Sequence, residues 1–296
     1  MVGKSALIES IGDGLSDALG KTITPQWLQD LPGGDINRAA LIGDKNTHWF
    51  LKYRHDAPDG MFAAESLALE EIVLQGCIRA PSPIAYGSAA NTAWLVLEHL
   101  ALVRSGPSAL LGEQLAALHS THFEEFGWRR NNFIGTTIQK NKSNSNWRLF
   151  WRDNRLKPQF ALAEAAGFGA QLTEKSGLLL DYLPQLLDGH TPSASLLHGD
   201  LWAGNKAFTP AGQPVIFDPA SYYGDRETDI AMTELFGGFD SEFYAAYNAT
   251  TPLPTGYQLR RELYNLYHML NHLNLFGAGY LSRCVKMIDH LLAQVR

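Results

Sequence analysis

One stretch constrains this chain more than any other: residues 195–229, which run Ser-Leu-Leu-His-Gly-Asp-Leu-Trp-Ala-Gly-Asn, then Val-Ile-Phe-Asp-Pro-Ala, then Asp-Arg-Glu-Thr-Asp. In it His198, Asp200 and Asn205 stand at the spacing His-x-Asp-x-x-x-x-Asn, and Asp218 follows thirteen residues after Asn205. That is the loop pattern of enzymes that move the terminal phosphate of ATP to a hydroxyl. The chemistry accounts for the spacing. One carboxylate must face the acceptor hydroxyl, while an amide oxygen five residues on turns back to hold magnesium. A second carboxylate at the end of the next strand holds metal against the phosphates. Asp218 closes the apolar run Val215-Ile216-Phe217, so a buried strand is expected to deliver it to a cleft edge. A lone His-x-Asp is common and says little; the Asn and the strand-ending Asp make the pattern specific. Asp-Pro-Ala stands where protein kinases have Asp-Phe-Gly, so the metal-binding Asp is kept and the mobile Phe is lost.

The bulk numbers place these residues in an ordinary soluble protein. A chain of 296 residues, 45% hydrophobic and 18% charged, can bury one large core or two. A net charge of −6 argues against nucleic acid or an anionic membrane as the main partner. No apolar run reaches the ~20 residues of a membrane helix. The first twenty residues carry Glu9, Asp13 and Asp17 and lack a signal peptide's basic start and apolar centre. Two cysteines, Cys77 and Cys284, make neither a disulfide framework nor a metal site, so a cytoplasmic location is expected.

Taken in order, residues 4–19 read as an amphipathic helix, with Leu7, Ile11, Leu15 and Leu19 at steps of four. Gly12-Asp13-Gly14 within it is half of a dinucleotide fingerprint with no strand before it. The runs 31–42 and 47–53, joined by Gly43-Asp44-Lys45-Asn46, read as a hairpin. Gly33-Gly34 at its mouth either let backbone N–H groups approach phosphates or make a plain turn. Lys52 lies in an apolar strand, where it either reaches water or meets an anion. Residues 60–75 read as a helix capped by Asp59. Glu65 falls on its apolar stripe, which is costly unless paired, and Lys52 is the obvious partner. The alternative is a Glu at the stripe's edge reaching water. Segments 79–87 and 93–98 look like two further strands, and Glu98-His99-Leu100 then offers backbone groups where an inter-lobe linker would meet adenine.

Beyond this point the pattern turns helical, over 110–122, 147–166, 169–188 and the C-terminal third. His119 reads as a packed or capping histidine. Residues 127–146 are polar, aromatic and irregular, as a substrate-side loop would be. Asp229 opens a helix and either braces the catalytic loop through backbone N–H groups or is a plain helix-start aspartate. His268 and His272 have a zinc-like spacing, but no third ligand is evident and packing is the expectation.

The chain resembles the fructosamine kinase (ketosamine 3-kinase) family, relatives of aminoglycoside and choline kinases. The residues that carry the resemblance are Leu31-Pro-Gly-Gly-Asp35, Phe50-Leu-Lys52, Met61-Phe-x-x-Glu65, Asn132-Phe-Ile-Gly-Thr-Thr137 with Gln139 and Asn141, and Trp147 through Arg155-Leu156. Leu197-His-Gly-Asp-Leu-Trp-Ala-Gly-Asn205, Ile216-Phe-Asp-Pro-Ala220, Tyr223-Gly-Asp-Arg-Glu-x-Asp229 and Tyr264-x-Leu-Tyr-x-x-Leu-Asn271 complete it nearly end to end. The resemblance implies an α+β, protein-kinase-like bilobal fold. A small lobe with an antiparallel sheet plus helix would span 1–98, and a large, mostly helical lobe 99–296. It implies ATP- and magnesium-dependent phosphorylation of the 3-hydroxyl of a ketosamine or glycated lysine, in repair of glycated amines. Asp200 would be the catalytic base, Asn205 and Asp218 the Mg2+ ligands. Lys52 held by Glu65, Gly33, Gly34 and the linker Glu98, His99 and Leu100 would hold the nucleotide. Trp202, with His198 and Asp229, would lie on the substrate side. Some relatives carry a cysteine in the Gly-rich loop; here Gly34-Asp35-Ile36 stand there, so a thiol switch through this loop is not expected.

Three rival readings stand beside this one. A kinase of the choline or aminoglycoside type would keep the same machinery. A nucleotide-binding pseudokinase scaffold is opposed by the intact set of Lys52, Glu65, Asp200, Asn205 and Asp218. A protein kinase is opposed by the short segment, about ten residues, between Asp218 and the next helix. A monomer or weak homodimer is the expected assembly, with a small molecule as partner and no nucleic acid or membrane.

Overall fold

In the computed structural model, which describes residues 2–32 and 36–295, the chain forms two compact units. One comprises residues 1–107 with 207–218, the other residues 108–206 with 219–296. The division therefore falls after Pro107 rather than after residue 98, and the segment 207–218, with its strand Pro214–Ile216, belongs with the first unit. The reason is pairing. Val103 bridges Phe208, and the Ile216 N–H donates to the Arg79 carbonyl at 2.9 Å, so both ends of that segment are tied to residues before Pro107.

The first unit is built on helix α1 (Val2–Leu19), strands β1 (Trp27–Leu31), β2 (Arg38–Gly43) and β3 (His48–His55), helix α2 (Met61–Gln75), and strands β4 (Pro83–Ala89) and β5 (Thr92–Leu97). The five strands form one antiparallel sheet in the order β1-β2-β3-β5-β4. Leu7, Ile11 and Leu15 of α1 are buried with Ala40, Ile42, Trp49, Leu51, Trp94 and Val96, the apolar positions of the sheet. Leu19, the fourth expected member of that stripe, is 40% exposed because α1 ends there. Gly14 has a packing role. A Cβ at that position would lie 2.5 Å from the Trp94 ring, so the glycine lets helix and sheet approach closely, and the half-fingerprint has no dinucleotide meaning. The N-cap of α2 falls one residue after the expected Asp59: Gly60, in a left-handed conformation, takes that position, and no side chain caps it.

The second unit is mostly helical. Helices α3 (Ser108–His119), α4 (Trp147–Trp151), α5 (Lys157–Ala163), α6 (Gly169–Leu186), α7 (Glu227–Leu235), α8 (Ser241–Thr250), α9 (Tyr257–Phe276) and α10 (Leu281–Ala293) carry it. Asn146 caps α4 by accepting from the Leu149 N–H, and Asp240 caps α8 by accepting from the Phe243 N–H. The expected helix over 147–166 is broken by two wider turns, Arg152–Leu156 and Glu164–Phe168. Helix α9 is the axis: Leu263, Tyr264, Leu266, Met269, Leu270 and Leu273 are buried, and α5, α7 and α10 pack along it. Short strands at 122–123, 194–196 and 223–224 form a small sheet behind the catalytic stretch. Among the described residues, no helix is long and apolar enough to cross a membrane.

Candidate active site

In the first unit the sheet delivers Lys52. It sits in the middle of β3, opposite Ala39 on one side and Leu95 on the other, so its neighbours leave room for a long side chain. Its ammonium lies 2.5 Å from Glu65 Oε1 and 3.0 Å from Asp218 Oδ1. Burial alone would lower the Lys52 pKa, but the two facing carboxylates outweigh it and hold the amine charged, well above its ordinary value. Glu65 is pushed the other way, upward, by burial and by Asp218, against the pull of Lys52. One cation therefore faces two carboxylates. The surplus negative charge sits beside Asp218, whose side chain is 44% exposed while that of Lys52 is only 7% exposed. The Asp218 backbone has φ 59°, a conformation that non-glycine residues rarely adopt and that functional sites often hold. A half-exposed carboxylate oxygen of this kind is the donor that a hard divalent cation such as magnesium takes.

Gly33 and Gly34 lie outside the described residues. The linker is described. The Glu98 carboxylate is already committed, to the Arg79 guanidinium and to the Ser82 N–H at 3.2 Å. The Glu98 N–H donates to the Ser82 carbonyl at 2.8 Å, so of Glu98 the backbone carbonyl is what is left for a nucleotide base. His99 turns its Nδ1 to His48 Nε2 at 3.1 Å, and its pKa is lowered by partial burial and by that neighbour. Leu100 follows, half-buried.

In the second unit the loop of His198, Asp200 and Asn205 is held almost entirely through its backbone. Gly199 has φ 84°, and a Cβ there would meet the Ala220 carbonyl oxygen at 2.2 Å, so only glycine allows the loop to cross residue 220. The Ala220 N–H donates to the His198 carbonyl at 2.8 Å. The buried His198 ring accepts from the Asp200 N–H at 3.2 Å. Asp229 Oδ2 accepts from the His198 N–H at 2.7 Å and Oδ1 from the Gly199 N–H at 2.8 Å. Of the two readings open for Asp229, the brace is the one observed. Burial opposes its charge, but His119, His198 and the Gly199 N–H outweigh it and hold its pKa below the usual carboxylate range. Asn205 donates its amide N–H to the Asp200 carbonyl at 2.8 Å, leaving the side-chain oxygen as the atom free to ligate a cation. Trp202 is 39% exposed, an aromatic face beside Asp200 in the chain.

The structure thus gathers Lys52, Glu65 and Asp218 in one unit and His198, Asp200, Asn205 and Asp229 in the other. Several participants escape sequence reasoning. Residues 127–146, expected as a loose substrate-side loop, form a docked hairpin of strands Asn132–Ile134 and Thr137–Gln139. Its carboxamides grip the segment that follows Asp218: Asn132 Nδ2 donates to Ser221 O and Gln139 Nε2 to Ala220 O, both at 2.8 Å. Asn132 Oδ1 accepts in turn from Gln139 and Asn141, and Tyr267 donates to Gln139 Oε1. Buried Arg155 donates to Asn141 Oδ1 at 2.8 Å, and its guanidinium lies over the Tyr222 ring, 3.9 Å from the centroid. The signal was a loop rich in Asn and Gln, which composition alone cannot tell from a solvated one. His119 is also part of the loop's support, bonded to Asp229 at 3.1 Å. Its place four residues after buried Leu115, on the inward face of α3, is a signal that it needs a polar partner there.

Two groupings have metal-like spacing, and the first is satisfied by its protein neighbours. His190, Asp225 and Glu227 bring ligand atoms within 4.8 Å of one another. However, Arg260 forks onto Glu227 at 2.7 and 2.8 Å, and Tyr264 donates to Asp225 at 2.6 Å, so both carboxylates already have partners. His268 is buried, its pKa pushed down to about 3 chiefly by burial. His272 donates Nδ1–H back to the His268 carbonyl, while His268 Nδ1 is buried with no hydrogen-bond partner.

Comparison with known proteins follows the same lines. The profile of the family described as Fructosamine kinase matches residues 7–294. A probable ketoamine kinase of Synechocystis sp. is 40% identical, over 96% of this chain and 96% of that protein. A chloroplastic protein-ribulosamine 3-kinase of Arabidopsis thaliana is 35% identical over 94% of this chain and 86% of its own length. Among solved structures, a protein of Haemophilus somnus assigned as a fructosamine-3-kinase superposes with a TM-score of 0.91 at 27% identity, covering 99% of this chain and 100% of that one. The choline kinase LicA of Streptococcus pneumoniae, at 16% identity and a TM-score of 0.65 over 97% of this chain and 99% of its own, shares the protein-kinase-like fold.

Proposed function

Because the chain belongs to the fructosamine kinase family, we propose that it transfers the γ-phosphoryl group of ATP, with magnesium, to the 3-hydroxyl of a ketosamine. The observation that carries this reading is the buried Lys52 held by Glu65 at 2.5 Å and Asp218 at 3.0 Å, a cation fixed by its neighbours. Phosphoryl transfer asks little covalent chemistry of a protein. The group is loosely bonded at the transition state, so positioning and charge neutralisation supply most of the rate.

Lys52 neutralises phosphate charge, and Glu65 keeps it from swinging away. Asp218 and the side-chain oxygen of Asn205 are the oxygen donors for magnesium, which supplies charge neutralisation on the phosphates. Asp200 accepts the proton of the attacking hydroxyl. Gly33 and Gly34 cover the nucleotide, and the backbone of Glu98, His99 and Leu100 addresses its base. Trp202 offers an apolar face to the sugar, with His198 and Asp229 shaping the loop beside it. The product, a ketosamine 3-phosphate, falls apart and releases the amine. Relatives named ketoamine kinase and ribulosamine 3-kinase support this substrate class.

The test is ADP release with magnesium and ATP against fructose-lysine, ribulose-lysine, erythrulose-lysine, choline and an aminoglycoside. Turnover confined to the ketosamines is expected. Turnover on choline or the antibiotic alone would keep the kinase and discard the ketosamine, and silence on all five with ATP bound would leave a scaffold.

A further inference from the structure

The hairpin that grips residues 220–221 has an outward face that the proposed chemistry does not use. From Phe126 to Trp151 the sequence carries Arg129, Arg130, Lys140, Lys142 and Arg148 and no Asp or Glu, although the whole chain has 30 Asp and Glu against 24 Lys and Arg. Pairing gathers these cations on one ribbon. The Phe126 and Asn144 backbones exchange two hydrogen bonds at 3.0 Å, and the Trp128 N–H donates to the Asn141 carbonyl at 3.0 Å. Asn132 stands opposite Gln139. Alternation then sorts the side chains. Gln139 and Asn141 are buried, while Ile138, Lys140 and Lys142 on the same arm are exposed, as are Arg129 and Arg130 on the opposite arm. Arg129 lies over the Trp128 ring, 5.3 Å from its centroid, and Arg148 is half-buried.

A plain solvated surface does not account for this face. Lysines on an exposed strand edge keep it from pairing with other chains, but a protective edge would not also present Ile138, which is 57% exposed. Solvated charges are ordinarily of mixed sign, because like charges repel. Here they share one sign on a backbone that is held in place. Asn132 donates to Ser221 O and Gln139 to Ala220 O, while buried Arg155 donates to Lys140 O and Asn141 Oδ1. Asn141 ties the two arms together by donating to the Arg130 carbonyl at 3.1 Å. A patch on so fixed a backbone loses little freedom when a partner docks on it.

The ribbon's inner side meets the segment on which the loop of His198, Asp200 and Asn205 rests. The Ala220 N–H donates to the His198 carbonyl at 2.8 Å and the Leu197 N–H to the Tyr222 carbonyl at 3.0 Å. Packed layers of strands lie about 10 Å apart, which puts the outward cations on the order of 10–20 Å from that loop. An extended peptide spans about 3.3–3.6 Å per residue, so side chains about three to six positions from a modified lysine cover the distance. A short acidic segment would touch the ribbon alone. A nucleic acid, as a long polyanion, would also meet the surplus of carboxylates on the rest of the chain.

We propose that this ribbon docks acidic residues of a peptide or protein substrate, so that the chain acts on ketosamines borne by lysines with Asp or Glu about three to six positions away. This rests on the reading of the chain as a ketosamine kinase. The ribbon takes no part in phosphoryl transfer. Its contribution is to the capture of substrate, so it belongs in KM for the peptide and weakens with salt.

Two short peptides with one ribulose-modified lysine test it, one with Glu at the third to sixth positions on either side and one with Gln there. Free ribulose-lysine is run beside them. The wild-type protein is expected to favour the Glu peptide about tenfold in kcat/KM at low ionic strength, since three exposed ion pairs together supply about that factor. The gap closes in about 0.5 M salt. The combined variant Arg130→Gln, Lys140→Gln, Lys142→Gln loses the preference and keeps wild-type turnover of free ribulose-lysine. Fluorescence anisotropy of a labelled, unmodified Glu peptide reads docking without turnover, and the variant is expected to bind it about tenfold more weakly. Equal rates on the two peptides, turnover of free ribulose-lysine alone, or a preference that survives in the variant or in high salt would each overturn the proposal. Tighter binding of a single-stranded oligonucleotide than of the Glu peptide would overturn it as well. If the wild-type protein turns over neither peptide nor free ribulose-lysine, the kinase reading has failed. Anisotropy then decides the ribbon by itself, and equal binding of the Glu and Gln peptides would sink it.

Discussion

Asp218 carries two burdens at once: it faces Lys52 at 3.0 Å and holds a left-handed backbone. Replacing it by alanine removes the oxygen proposed for magnesium and leaves Lys52 paired with Glu65 alone, so Asp218→Ala is expected to show no measurable turnover while retaining its fold. Substantial turnover, measured as ADP release, would contradict its assignment. Asp200→Asn keeps the shape and loses the proposed proton acceptor; a fall of about 10²-fold or more in kcat is expected. His268 supplies a test of a different kind. Folding holds it neutral, its pKa lowered from 6.5 to about 3. Below pH 6.5 the unfolded chain binds a proton there that the folded chain refuses. Stability from this residue is therefore lost as pH falls, by up to about 1.4 kcal/mol per pH unit, until the folded value is reached. In urea unfolding between pH 6.5 and 4, the curve for His268→Gln is expected to fall less steeply than that of the wild type. Parallel curves would show that the ring is not held neutral.

At the scale of elements, the 132–139 hairpin is the least expected feature. Its Asn and Gln side chains satisfy one another and the carbonyls of Ala220 and Ser221, so the hairpin fastens the segment after Asp218. Gln139→Ala strips donors from two buried acceptors and is expected to cost about 1–3 kcal/mol in chemical unfolding. A change within experimental error would mean that the hairpin is not held by these amides. The Arg260–Glu227 fork that ties α9 to α7 predicts an asymmetry. Arg260→Met alone should destabilise by about 3–5 kcal/mol because it leaves a buried carboxylate unpaired. Arg260→Met with Glu227→Leu should recover most of that loss, and a double variant as unstable as the single one would contradict it. Both features show the limit of reading elements from sequence. Most of the sheet was legible, because alternation and turn residues mark four of its strands locally; β1, Trp27–Leu31, was not among the expected strands. The hairpin was not, because its polar residues are buried by partners far along the chain, such as Ser221 and Tyr267.

For the whole molecule, what the sequence made legible follows the same division between local and distant causes. The His198–Asp200–Asn205 spacing is local, and the structure keeps these residues in one loop. The Lys52–Glu65 pair was legible from a carboxylate on an apolar stripe near a strand lysine, and it is observed. The grouping of residues 207–218 with the N-terminal unit was not, since it depends on pairing with Arg79 and Val103, far earlier in the chain. Nor was the support that His119 gives Asp229, which no spacing connects. The central claim remains that this set of residues moves phosphate to one hydroxyl of a sugar joined to an amine. The most direct measurement is phosphorus–proton correlation NMR on fructose-lysine or ribulose-lysine after reaction with ATP, magnesium and the wild-type protein, with Asp200→Asn run alongside. A phosphomonoester on the third carbon, absent or greatly reduced with the variant, is the predicted result. Phosphate on another carbon, no sugar phosphate at all, or equal product from Asp200→Asn would contradict the account.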